Sequence, residues 1–216
     1  MANTSTPNIK ITETEFDFQF NDVTVEKVDS NGFNGVRYDD ILPTSAWVDA
    51  PGGAAPDTVS YTIGGISYNF RSFDGNNTTE AMTNQFEILH GVDVGVLNAE
   101  TIALEIHHHG FASTTGTGDV KIFFDLAYLP VNAAPITWGT FDVILTVSAN
   151  QQYYHKIIGV ELPKPSSGYN IGDKILCKYS RVPSDVEDTY GSDWAFMQCA
   201  LHAPFNSKGS RQRYIK

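Results

Sequence analysis

In two strand candidates, 119–129 and 139–149, apolar side chains recur at every second position, and this alternation constrains the fold more than any other feature of the chain. Val120, Ile122, Phe124, Leu126 and Tyr128 share one face of an extended segment, with Lys121 and Asp125 on the other, and Phe141, Val143, Leu145 and Val147 repeat the pattern. Successive side chains of a strand point to opposite faces, so period two marks strands buried on one side only. Further strand candidates lie at 58–63, 65–71, 84–90, 100–109, 152–162, 171–181 and 193–203. The Gly64-Gly65 pair is placed to turn a hairpin. Segments of this kind separated by Gly, Pro, Asn and Asp predict an all-β fold, an antiparallel β-sandwich that is jelly-roll-like. The best helical window is near Thr79 to Gln85, one or two turns long. Residues 37–60, broken by Pro51-Gly-Gly-Ala-Ala-Pro56, read as a long loop with one short strand at most.

The length of 216 residues suits one core, and the chain divides into an extended N-terminal arm or strand over residues 1–29 and a single sandwich domain over 30–216. The arm carries Phe16, Phe18 and Phe20 at period two, and the Ser30-Asn-Gly-Phe-Asn-Gly35 turn cluster follows it. Charged residues make up only 18%, which favours shared interfaces over a heavily solvated surface. A net charge of -11 opposes contact with a phosphate backbone, so no nucleic acid is expected as partner. No apolar run is long enough to span a bilayer, and the polar start lacks the regions of a signal peptide, so no membrane partner is expected and synthesis in the cytoplasm is. Cys177 and Cys199 sit among apolar neighbours and read as small buried hydrophobes.

The run Glu105-Ile-His-His-His-Gly110 holds the most chemistry. In a strand His107 and His109 project to one face, about 7 Å apart, and His108 to the other. That spacing suits a metal, but a site needs a third ligand such as His90, Asp125 or His202 from a neighbouring strand. A polar histidine cluster is the plainer reading, so no metal and no cofactor are expected, with His107, His109 and His202 as the metal candidates. The glutamate that follows H-x-H in cupin metalloenzymes is missing after His109, and no nucleophile elbow, phosphate loop, H-E-x-x-H helix or zinc ribbon is present. No catalytic residue is assigned, and the chain is not expected to be an enzyme. Asp185-Val-Glu-Asp188 reads as a solvated acidic loop. Tyr153, Tyr154, Tyr169, Tyr190 and Trp194 are either core packing or a sugar-stacking platform.

Several short motifs in order resemble an uncharacterised family of virion structural proteins of tailed bacteriophages. They are Tyr38-Asp39-Asp40-Ile-Leu-Pro43, Leu89-His90, the His107 to His109 strand with Gly116-Thr-Gly118 and the aromatic strand Val120 to Tyr128, then Arg181, Asp188-Thr-Tyr190, Leu201-His202 and Gly209-Ser-Arg211 through Lys216. Gly110 departs from the family, which has an aromatic after H-x-H, as does the Phe-rich arm. The resemblance implies a virion protein made in the host cytoplasm, a capsid decoration or head or tail fibre-base component. It implies action through oligomerisation, as a homotrimer, and attachment to other virion proteins, with Phe16, Phe18, Phe20, Arg211 and Arg213 as interface contacts. The alternatives are a cupin-like metal-dependent enzyme and a glycan-binding host-adsorption module.

Overall fold

The computed structural model describes residues 8–11, 15–20, 23–29, 32–33, 36–76, 78–100 and 102–206, with side chains described from residue 39 to residue 205. The strands are antiparallel and build a β-sandwich of jelly-roll-like layout. The first four, β1 (Asn8–Ile11), β2 (Glu15–Phe20), β3 (Val23–Asp29) and β4 (Gly32–Phe33), pair with one another in that order as a separate sheet. Phe16, Phe18 and Phe20 lie in β2, as their period requires, but their side chains fall outside the described residues. Arg211 and Arg213 also fall outside them.

Two larger sheets enclose the core. One joins β13 (Lys156–Leu162), β10 (Leu104–Ala112), β15 (Trp194–Asn206), β8 (Ile66–Phe73) and β7 (Asp57–Ile63), with β5 (Val36–Ile41) paired to the far end of β15. The other runs β12 (Ile136–Val147), β11 (Gly118–Leu129), β14 (Lys174–Arg181), β9 (Glu80–Glu87) and β6 (Val48–Asp49). Their inward faces meet in one apolar cluster that includes Ile106, Val120, Ile122, Phe124, Leu126, Tyr128, Tyr179 and Trp194. The period-two faces of β11 and β12 fall as the alternation predicts: Val120 to Tyr128 point inward, and Val143, Leu145 and Val147 are buried. Gly64 and Gly65, with φ of 60° and 82°, turn the β7–β8 hairpin, a pair of left-handed residues that suits the strand twist.

Three expectations are corrected. The window from Thr79 to Gln85 is strand β9 rather than helix, because Met82, Asn84 and Phe86 alternate inward and tertiary pairing to β14 overrides the good helix formers around them. The helix found among the described residues is α1 (Val94–Asn98), capped by the Asp93 carboxylate, which accepts from Val96 N–H. Residues 37–60 are no simple loop, since they hold most of β5, all of β6 and the start of β7.

The acidic run 185–188 is solvated only in part, with Val186 and Glu187 exposed. Asp188 is buried against Arg181 at the end of β14, while Asp185 and Glu187 close over the Lys121 ammonium, with Glu187 Oε2 accepting at 2.7 Å. Every N–H of the buried Arg181 guanidinium has a partner: Nε and one Nη2 hydrogen donate to Asp188, the other to Tyr190 O, and Nη1 to Phe73 O and Ser192 O. Cys177 and Cys199 are free and buried, as read.

Candidate functional site

The half of each alternation that faces away from the core carries whatever the sandwich can offer a ligand. On the five-stranded sheet, antiparallel register places Asp125 of β11 opposite Lys178 of β14, and Lys178 opposite Thr83 of β9. One step along, Ala127, Leu176 and Gln85 form the parallel row. Ser45 and Val48 stand at the margin, and together these groups line a hollow of about 490 Å³. This size lies within the range of small-molecule sites, about 300–1,000 Å³. Asp125 is held before any ligand arrives, since it accepts from Thr140 Oγ1 at 2.6 Å and from Lys178 Nζ at 3.2 Å. The Asn84 amide donates to Ser45 O and its Oδ1 accepts from Ser45 Oγ, which ties the marginal loop to β9. The floor is therefore aliphatic and the walls carry fixed donors and acceptors.

The opposite outer face, on the six-stranded sheet, holds the histidines. The expected split of the run is found: His108 is fully buried, while His107 and His109 face outward. His108 Nε2 accepts from Trp194 Nε1 at 2.9 Å, within a ring cluster of Tyr179, Trp194 and Phe196. Burial drives its pKa down to about 3, with His109 adding a smaller push in the same direction, so the ring stays neutral. His107 and His109 do not converge. His109 Nδ1 sits 3.0 Å from His155 Nε2, whereas His107 stacks on His202 at 4.6 Å between ring centroids. His202, a candidate from the sequence, is thus brought in, with Asp40 of β5 opposite it in register. Asp125 lies on the other sheet, and His90 is exposed beyond β9. Asp40 was the residue sequence reading missed as a ligand; only the β5–β15 pairing reveals it.

Gly110, where the resembled family carries an aromatic, has a physical cause here. The strand bulges between His109 and Gly110, and a Cβ at Gly110 would stand 2.5 Å from Trp194 Nε1. The proposed aromatic platform is not assembled: Tyr169, Tyr190 and Trp194 are buried, and Tyr153 packs on Tyr61 and Phe111, leaving Tyr154 exposed.

No family model matches the chain, and no curated protein matches it. Among solved structures, the chain is similar to TmCBM61 in complex with β-1,4-galactotriose, with 10% identity, TM-score 0.37, and coverage of 74% of this chain and 90% of that one. It is similar also to the CBM27-1 module of Caldicellulosiruptor saccharolyticus in complex with mannohexaose, at 10% identity and TM-score 0.37, covering 78% and 97%. A third is the CBM22-2 xylan-binding domain of Paenibacillus barcinonensis Xyn10C, at 13% identity and TM-score 0.38, covering 76% and 98%. The expectation of a phage virion structural protein is corrected on this finding: these neighbours are carbohydrate-binding modules.

Proposed function

We propose that this chain is a carbohydrate-binding module, without catalytic turnover, that holds an oligosaccharide in the hollow of the five-stranded sheet. The observation that carries the reading is the mixed lining of that hollow: Gln85, Thr83, Asp125 and Lys178 project beside the aliphatic strip of Ala127 and Leu176. A sugar ring presents hydroxyls at its edge and C–H groups on its faces. It needs donors and acceptors in fixed positions next to an apolar surface, since any polar group desolvated without a partner costs binding energy. Asp125 supplies acceptors, Lys178 donors and Gln85 both. The Thr140 and Lys178 bonds fix the Asp125 carboxylate in advance, so little conformational freedom is lost on binding.

A neutral glycan fits better than a sulfated or uronic one. Asp125 and Lys178 compensate each other, and the net charge of -11 repels polyanions.

A glycan array followed by titration calorimetry tests the reading. Asp125→Ala or Gln85→Ala should weaken the bound glycan about tenfold or more, the equivalent of one hydrogen bond to a charged group or of a buried amide left unpaired. Affinity unchanged in the double variant, or an array with no bound glycan, refutes it.

A further inference from the structure

On the other sheet three strands deliver three potential ligands to one point: Asp40 from β5, His107 from β10 and His202 from β15. One oxygen or nitrogen from each lies within 4.8 Å of the other two. We propose that Asp40, His107 and His202 bind a single divalent transition-metal ion of the Zn²⁺ class, at a site separate from the sugar hollow and independent of it.

The tautomer of His107 supplies the first argument. Its Nε2 stands 2.9 Å from Glu105 Oε2, and a carboxylate can only accept, so Nε2 carries the proton. In the neutral ring the Nδ1 lone pair then faces Asp40 Oδ1, 3.8 Å away. Two lone pairs across that gap repel unless a proton or a metal ion lies between them. A carboxylate that holds the far nitrogen of a ligating imidazole is also the usual support of a metal histidine, because it fixes the ring and raises its basicity.

Distances supply the second. Ligands about 2.0–2.1 Å from a tetrahedral ion lie about 3.3–3.4 Å apart. Asp40 Oδ1 to His202 Nδ1 is 3.2 Å and to His107 Nδ1 3.8 Å, which brackets that spacing. The rings of His107 and His202 are stacked, at 15°, so their in-plane lone pairs do not yet meet, and one ring has to turn about its Cβ–Cγ bond for both nitrogens to reach the ion.

The third is the space kept for the His107 ring. Gly159 of β13 is its register partner, and a Cβ there would stand 2.6 Å from His107 Cδ2 and 3.0 Å from Nε2. Any other residue would displace the ring from its place between Glu105 and Asp40. A hollow of about 320 Å³ opens over the trio, with His109 and Ile157 on its far side, so the ion would keep a position for water. Two imidazoles and one carboxylate select a borderline ion such as Zn²⁺ over Ca²⁺ or Mg²⁺, which require oxygen ligands.

The test uses the full chain, purified without an affinity tag and stripped with chelator, titrated with Zn²⁺ by calorimetry and assayed for bound metal. We expect about one ion per chain and no binding of Ca²⁺. His107→Gln and His202→Gln should each weaken Zn²⁺ at least thirtyfold, Glu105→Ala about 10–100-fold as for other outer-shell partners, and His109→Ala not at all. These side chains face outward, so each variant should unfold at the wild-type temperature in chelator, and Zn²⁺ should raise that temperature in the wild type and in His109→Ala but not in His107→Gln or His202→Gln. Asp40→Asn serves as the second variant should either histidine change the fold. Binding below half an ion per chain, affinity that survives His107→Gln with His202→Gln, or affinity that His109→Ala removes would each overturn the site and leave an ordinary histidine–carboxylate cluster.

Discussion

Replacing Asp188 by Ala should destabilise the fold more than almost any other single substitution of a polar residue. Its side chain is 1% exposed and that of Arg181 is fully buried. Removal leaves the guanidinium charged, dry and short of two charge-assisted hydrogen bonds, at 2.8 and 2.9 Å, and orphans the Lys121 N–H that Asp188 Oδ2 accepts at 3.1 Å. Breaking a buried pair from one side costs about 3–5 kcal/mol, against a total stability of about 5–15 kcal/mol for a domain. With a urea slope of about 2 kcal/mol per M, the midpoint should fall by about 2 M. For an isolated buried pair, removing both partners relieves most of this loss. Here it should not, because Arg181 also satisfies the carbonyls of Phe73, Tyr190 and Ser192, and Arg181→Met with Asp188→Ala leaves three acceptors without donors. Urea unfolding followed by Trp fluorescence and circular dichroism measures both variants. A midpoint within about 0.3 M of wild type for Asp188→Ala, or a double variant restored to wild type, would refute the view of Arg181 as a hub.

Further outcomes follow from single contacts. Burial, reinforced by the nearby carboxylates of Asp74, Asp57 and Asp193 and opposed by the Asp74 N–H that donates to it, pushes the Glu80 carboxyl up to about 7. A raised acid pKa favours the folded state below the unfolded value near 4.5 and loses that contribution as pH rises through 7. Wild-type stability should therefore decline between pH 5 and pH 8 relative to Glu80→Gln, by at most about 1.4 kcal/mol per pH unit, and parallel profiles of the two proteins would count against it. His108 acts with the opposite sign: its folded pKa lies below the unfolded value, so its contribution is present above pH 6.5 and is lost as pH falls towards 3, steepening acid unfolding. Gly110→Ala forces a Cβ against Trp194 Nε1 and Ala195 O, and should cost about 1–3 kcal/mol in thermal unfolding, as overpacking does. Light scattering addresses the expected homo-oligomer, for which a species larger than a dimer is the predicted result.

Much of the sandwich was legible in the sequence because alternation is a local signal. A strand such as β11, with five consecutive inward positions filled by Val120, Ile122, Phe124, Leu126 and Tyr128, declares its own faces. β9 was misread because Glu80-Ala-Met-Thr-Asn-Gln-Phe-Glu87 contains good helix formers, and its inward Asn84 breaks the apolar period. The Arg181–Asp188 pair was hidden for another reason. The two lie seven positions apart, but burial depends on β8 and the loop before β15 closing over them through Phe73 O and Ser192 O, which no local pattern encodes.

The sites follow the same division. The outward turn of His107 was readable from strand geometry, whereas its convergence with His202 and Asp40 depends on long-range register: Glu105 pairs with His202, and His202 with Asp40, across strands up to 162 residues apart in sequence. The H-x-H spacing drew attention to His107 and His109 together, yet the bulge after His109 and the His155 contact take the second imidazole elsewhere. The two outer faces share a core but no residue. A sandwich whose inward positions are fully committed to packing can vary each outer face separately, since a substitution outside leaves the opposite sheet in place. Glycan affinity should therefore be untouched by His107→Gln and Zn²⁺ affinity by Asp125→Ala. Coupling of the two beyond about twofold in calorimetry would mean that the sheets do not act as independent platforms.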